Sequence, residues 1–152
     1  MSSKITPQIF VGNSHDARLA LNSDFDATLN VAIDLDIEDN LDEVVIRRLK
    51  RHKVGLVDGP GNPPLRMVAA LVLLHTIVES GITVLVHCHA GMSRSVMVVA
   101  AYLDITGAMP LDDALVKIMP LRQVEQYSQA MYSLAKTAIP IAKQVIEYGK
   151  NK

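Results

Sequence analysis

Apolar positions along the chain fall into two rhythms. Short runs rich in β-branched residues read as strands: Ile9-Phe10-Val11 closed by Gly12, Ala27 to Ile33, Val54 to Val57, and Ile82 to His87. The stretches between them carry a helical period. A short helix is expected around Asp16 to Leu21. Another should start at Asn40, a good N-cap with Glu43 three residues on and Asp42 and Glu43 in the first turn. Leu41, Val45 and Leu49 supply its inward stripe, and Arg48, Lys50 and Arg51 lie near its end. Pro63 to Ser80 reads as a long helix with prolines at its start and Gly81 just past its end. Ser95 to Thr106 is apolar nearly all round, hence a central helix, and stops at Gly107. Two more helices are expected, near Leu111 to Met119 and from about Gln123. In the latter, Val124, Tyr127, Met131, Leu134 and Ala138 recur at helical spacing, and Pro140 should kink or break it.

This alternation over 152 residues predicts a single α/β domain spanning residues 1–152. Its small central sheet should be mainly parallel, with four to five strands and helices on both faces. The unbroken run Ile82 to His87 suits a strand buried on both sides. Asp58-Gly59-Pro60-Gly61-Asn62-Pro63-Pro64 is the most loop-like segment. Hydrophobic residues make up 49% of the chain, yet there are only two Phe and no Trp, so Val, Leu, Ile, Ala and Met must fill the core. A net charge of −1 gives no pull toward nucleic acid or anionic lipid, and neither is expected as a partner. One cysteine excludes an internal disulfide, Met1-Ser2-Ser3-Lys4 lacks the apolar start of a signal peptide, and the greasy segment Met67 to Val78 is too short to span a bilayer. A cytoplasmic location, in a reducing compartment, is the expectation.

The chemistry is concentrated in Val86-His87-Cys88-His89-Ala90-Gly91-Met92-Ser93-Arg94-Ser95, between an apolar strand and an apolar helix. Successive amides in a tight turn form a concave anion nest, and the helix N-terminus behind it adds partial positive charge. Gly91 permits the backbone angles of such a turn. The backbone of His89, Ala90, Gly91, Met92, Ser93 and Arg94 is therefore expected to line a phosphate site, with the Arg94 fork matching two phosphoryl oxygens. In that field Cys88, the only cysteine, should be a thiolate near neutrality and stand in line for attack on phosphorus. Ser95 can hydrogen-bond the sulfur and help it leave. His87 should hydrogen-bond behind the loop and support it. Phosphate, sulfate or vanadate should occupy the loop.

The run HCHAGMSRS resembles the Cys-x5-Arg signature of cysteine-dependent protein tyrosine phosphatases, and its Ser-Arg-Ser ending is most similar to the dual-specificity branch. Ile9-Phe10-Val11-Gly12-Asn13 with His15-Asp16-Ala17, then Leu29-Asn30-Val31-Ala32, resembles that family's opening elements, so the likeness runs over roughly Ile5 to Ala138. It implies hydrolysis of phosphotyrosine, and of phosphoserine and phosphothreonine, on protein or peptide substrates through a phosphocysteine. It also implies a general acid on a loop some thirty residues before the nucleophile, where Asp58 stands. The family often has an Arg-Pro pair after the helix that follows the loop. Here Met119-Pro120-Leu121-Arg122 departs from it, and Arg122 is not counted as a ligand. No Lys stands among His89, Ala90, Met92 and Ser93, which favours protein over phosphoinositide substrates. A phosphoinositide, a glucan phosphate, an RNA 5′ end, or an inert phosphate-binding module are the alternatives.

Other readings compete for the same residues. A lone cysteine is usually a small buried hydrophobe, although the preceding His, the internal Gly and the strand–helix setting favour catalysis. His87-Cys88-His89 suggests zinc, but adjacent ligands cannot all converge and there is no second Cys or HxxxH pair, so no metal or cofactor is expected. Arg47 to Lys53 reads as the solvated end of a helix, with docking to an acidic partner as the alternative. Asp58 could instead cap its turn. Asn30 and Asn62 read as ordinary polar residues of strand and turn. Asp34, Asp36, Glu38 and Asp39 read as solvated charge, since the glycine and terminal Glu of a calcium loop are missing.

Overall fold

A computed structural model describes residues 1–22, 25–38 and 49–150. The β-branched runs assemble into a five-stranded sheet: β1 (Ser3–Lys4), β2 (Ile9–Gly12), β3 (Ala27–Ala32), β4 (Lys50–Leu56) and β5 (Val84–His87). Their order across the sheet is β1-β2-β5-β3-β4, with only the β1–β2 pair antiparallel. Strand β5 is central, pairing Val84, Leu85 and Val86 with Ile9, Phe10 and Val11 on one side and with Ala27, Thr28 and Leu29 on the other. Its alternation sorts the core. Val84 and Val86 face the large cluster beneath the helices, whereas Leu85 faces a smaller one with Ala17, Ala20, Phe25 and Leu49. Burial on both faces explains why the run is apolar without interruption.

The small face is covered by α1 (Ser14–Arg18) and a 3₁₀ turn (Leu19–Asn22). Asn13 caps α1 reciprocally with Asp16. The large face carries α2 (Pro64–Glu79), α3 (Arg94–Ile105), α4 (Leu111–Leu121) and α5 (Gln129–Lys150). Helix α3 is buried from Arg94 to Leu103, as its all-round apolar composition requires. No helix among the described residues is long and apolar enough to cross a membrane.

Three elements depart from the sequence pattern. The helix expected from Asn40 lies outside the described residues up to Arg48, but Lys50 and Arg51, placed at its end, belong to β4. The edge position explains this. A strand at the margin of a sheet tolerates polar side chains, which hides its period, and two of the bases have local partners. Arg51 reaches the Ala17 carbonyl at 3.0 Å and Lys53 the Leu35 carbonyl at 2.9 Å. The last helix begins at Gln129, six residues late, because Gln123 adopts a left-handed φ of 57° and ends the preceding helix. Val124 and Tyr127 thus lie in the connection. Helix α5 runs unbroken through Pro140, which lies on its exposed side.

Candidate active site

Three adjacent parallel strands end at the same edge of the sheet, and each hands a chemically active residue to it. Cys88 follows β5 directly; Asp34 and Asp58 stand two residues past β3 and β4. This is the edge at which open α/β sheets bind ligands. The polypeptide then curls from Cys88 to Arg94 and enters α3. Gly91 makes the curl possible. Its φ is 69°, and a Cβ there would lie 2.5 Å from the Gly12 carbonyl oxygen and 2.6 Å from Arg122 Nη2. The Ser14 amide donates to the His89 carbonyl at 2.9 Å, pinning the loop's other side.

Cys88 is buried, with its sulfur 3.2 Å from Ser95 Oγ. Burial pushes its thiol up, but the Ser95 hydroxyl and the amides of Ser95, Gly91 and Ser93 outweigh this and set it below the ordinary value of 9.0. Amides of the loop and the helix start thus favour the thiolate. Helix α3 has no side-chain cap among the described residues, so its first-turn amides face the loop and the Cys88 sulfur. His87 sits behind, fully buried, its Nδ1 3.4 Å from the Cys88 carbonyl. Burial pushes it down to about 4, so it is neutral. His89, one residue beyond Cys88, is exposed.

Arg94 lies almost wholly inside. Its Nη1 donates to Asp34 Oδ1 at 2.6 Å and to the Leu56 carbonyl at 2.9 Å, while Nε is buried without a hydrogen-bond partner among the described residues. The Arg94 guanidinium holds the Asp34 carboxyl below the usual carboxylate value. Asp58 is exposed at the loop's rim and accepts from Ser93 Oγ at 2.8 Å. The Asn62 side chain braces the Asp58 turn, accepting from the Val57 amide at 2.7 Å and donating to the Val57 and Gly59 carbonyls at 2.7 and 3.3 Å. Such an arrangement can hold a tetrahedral dianion over a thiolate with an acid alongside.

Cys88, Ser95, Arg94, Asp58 and the loop residues His89 to Ser93 thus come together. The sequence presents Asn30 and Asn62 as ordinary polar residues and Asp34 as solvated charge, yet all three are built into the surroundings of this loop. No short-range motif could find Asp34, because its partner is sixty positions away. Arg122 has a place as well. Its Nε donates to the Gly91 carbonyl at 2.9 Å, and its Nη1 to the Met1 carbonyl and Ser3 Oγ at 2.6 and 3.1 Å, so it braces the loop from behind. Beside it, a depression of about 380 Å³ runs from Ala90 and Met92 to Leu121 and Gln123.

The family model described as "Dual specificity phosphatase, catalytic domain" matches residues 9–138. No curated relative matches the sequence. Among solved structures, the fold is similar to Tk-PTP in its active form, 22% identical over 91% of this chain and 96% of that one, with a TM-score of 0.72. It is similar to DUSP15, 18% identical over 97% and 95% of the two chains, with a TM-score of 0.77. The core catalytic domain of the PP-IP phosphatase SIW14 from S. cerevisiae, in complex with citrate, also shares it, at 13% identity, 99% and 92% coverage and a TM-score of 0.75. A match to one catalytic family across most of the chain, on a fold common to these structures, carries the conclusion: this chain belongs to the dual specificity phosphatase family and is a cysteine-dependent phosphatase.

Proposed function

We propose that residues 1–152 form one catalytic domain that hydrolyses phosphomonoesters on proteins, phosphotyrosine together with phosphoserine and phosphothreonine, through a phosphocysteine at Cys88. The observation that carries this is the buried Cys88 sulfur, which lies 3.2 Å from Ser95 Oγ and whose thiol the Ser95 hydroxyl and the nearby Ser95, Gly91 and Ser93 amides hold below its ordinary value. The loop backbone from His89 to Arg94 binds the phosphoryl oxygens, with Arg94 completing the cradle. The Cys88 thiolate attacks phosphorus and forms an S–P bond as the ester P–O bond breaks. The departing oxygen takes the proton of Asp58. A water then attacks phosphorus and gives its proton to the Asp58 carboxylate. The S–P bond breaks, phosphate leaves, and the Ser95 hydroxyl stabilises the returning thiolate. No step needs a metal. A reducing, cytoplasmic setting keeps the thiol usable, since no second cysteine is present to shield it as an internal disulfide.

Protein substrates are favoured by the charge at the rim. The carboxylates that contact the loop, Asp34 and Asp58, are exposed, and Arg122 is engaged with Gly91, Met1 and Ser3. A polyphosphorylated inositol would meet these acids with little basic compensation, although the fold is shared with a PP-IP phosphatase. The experiment is a kcat/KM panel of phosphotyrosyl, phosphoseryl and phosphothreonyl peptides, inositol phosphates and 5′-phosphorylated RNA, with EDTA present. Phosphopeptides should lead, and Cys88→Ser should abolish turnover while still binding vanadate. Turnover surviving in Cys88→Ser would sink the covalent route; inositol phosphates leading the panel would sink the protein assignment.

A further inference from the structure

Asp34 holds the Nη1 side of Arg94, and the turn that carries it is secured from several directions. Asn30 donates to the Leu35 carbonyl at 2.7 Å and accepts from the Ala32 amide at 2.9 Å. Lys53 reaches the Leu35 and Ile33 carbonyls at 2.9 and 3.3 Å and pairs with Asp36 at 2.7 Å. The Leu35 side chain is sunk in the core. Gly55 lets strand β4 press against the turn, since a Cβ there would lie 2.8 Å from Ile33 Cα. Solvated charge needs no such scaffold. The Asp34 carboxylate and the Leu56 carbonyl together occupy Nη1, whereas Nε, on the other edge of the fork, is buried with no partner among the described residues. In a guanidinium, Nε shares that edge with Nη2, and it is the edge that grips two oxygens at once.

We propose that Asp34 is a positioning residue, which by holding Nη1 fixes the rotation of the Arg94 plane so that its Nε–Nη2 edge meets two oxygens of the transferring phosphoryl group. The proposal rests on the phosphocysteine reading above. Orientation of a rigid fork matters most when the phosphoryl oxygens flatten in the transition state. A carboxylate beside a bound dianion, by contrast, adds nothing to ground-state binding. Asp34 should therefore act on turnover more than on affinity.

Wild type, Asp34→Ala and Asp34→Asn are compared for p-nitrophenyl phosphate turnover, inhibition by inorganic phosphate and thermal melting. Asp34→Ala should lower kcat by roughly 10- to 100-fold while the phosphate inhibition constant moves less than about threefold. Asp34→Asn keeps an acceptor in the same place and should recover most of the loss. The proposal is overturned if Asp34→Ala turns over like the wild type, if Asn gives no recovery, or if phosphate affinity falls as far as kcat. An active wild type with an indifferent Asp34 leaves the phosphatase reading standing; a wild type without turnover ends both.

Discussion

Ser93 and Asp58, thirty-five positions apart, are joined by a 2.8 Å hydrogen bond from the serine hydroxyl to the carboxylate. Ser93 occupies the N-cap of α3, where a hydroxyl ordinarily turns back to its own helix. Here it reaches across to the loop after β4. The helix start has no side-chain cap among the described residues, and the Asp58 carboxylate is tethered to the loop proposed to hold the substrate.

That tether predicts a dependence on leaving group. Ser93→Ala should slow hydrolysis of aryl phosphates with poor leaving groups by about tenfold and change p-nitrophenyl phosphate turnover much less. Asp58→Asn should show the same trend more steeply. A plot of log kcat/KM against leaving-group pKa measures it, and parallel lines for wild type and both variants would place the acid elsewhere.

Ser95 should tune the nucleophile. The pH dependence of inactivation by iodoacetamide reports the Cys88 thiol directly, with a midpoint below the ordinary 9.0 in the wild type. Ser95→Ala removes the hydroxyl 3.2 Å from the sulfur and should move that midpoint up while slowing release of phosphate from the intermediate. An unmoved midpoint means that the backbone amides alone set the thiolate.

Gly91→Ala should disable the loop without unfolding the protein. The new methyl group would meet the Gly12 carbonyl oxygen at 2.5 Å in a backbone conformation that alanine resists. A local cost of about 1–3 kcal/mol follows from such strain, enough to displace the loop. Turnover should drop by more than about tenfold with the far-ultraviolet circular dichroism spectrum unchanged. Wild-type turnover in this variant would contradict the packing of Gly91 against Gly12 and Arg122.

His87 links stability to pH. Its value of about 4 in the fold lies below the 6.5 of an unfolded histidine, so the unfolded chain takes up the proton first as pH falls. Its contribution is complete above pH 6.5 and is lost as pH falls through about 4, amounting to about 3 kcal/mol in all and about 2 kcal/mol by pH 5. Urea unfolding at pH 7 and pH 5 measures it: the drop should be smaller in His87→Gln than in wild type. Equal drops would mean that His87 is accessible to protons in the folded state.

The parts legible in the sequence are those written in short-range pattern. Strand β5, helix α3 and the turn between them announce themselves through apolar runs and Gly91, and the chain before them supplies the Asp58 loop as a cluster of Gly and Pro. Strand β4 was half hidden because Lys50 to Lys53 lie at the sheet margin and need no apolar period. The start of α5 was hidden because Val124 and Tyr127 kept the helical spacing across a backbone that Gln123 turns left-handed. Asp34 and Arg122 were illegible for another reason. Each acts on the loop through one contact across a long stretch of chain, and a single sequence does not encode which distant polar groups will meet.

The near-equal offsets of Cys88, Asp34 and Asp58 from the ends of β5, β3 and β4 have a consequence for how such an enzyme can change. Spacing between the three groups is inherited from neighbouring strands some 4.8 Å apart, the repeat that backbone hydrogen bonding imposes. The reacting centre is thereby insulated from the rest of the edge. A residue of the depression beside Arg122, such as Leu121, can be exchanged without moving the strand ends. Substrate choice and chemistry should therefore be separately adjustable: a redesign that grafts a basic or aromatic side chain at position 121 should redirect the enzyme to other phosphate esters and leave the intrinsic rate on p-nitrophenyl phosphate nearly as it was.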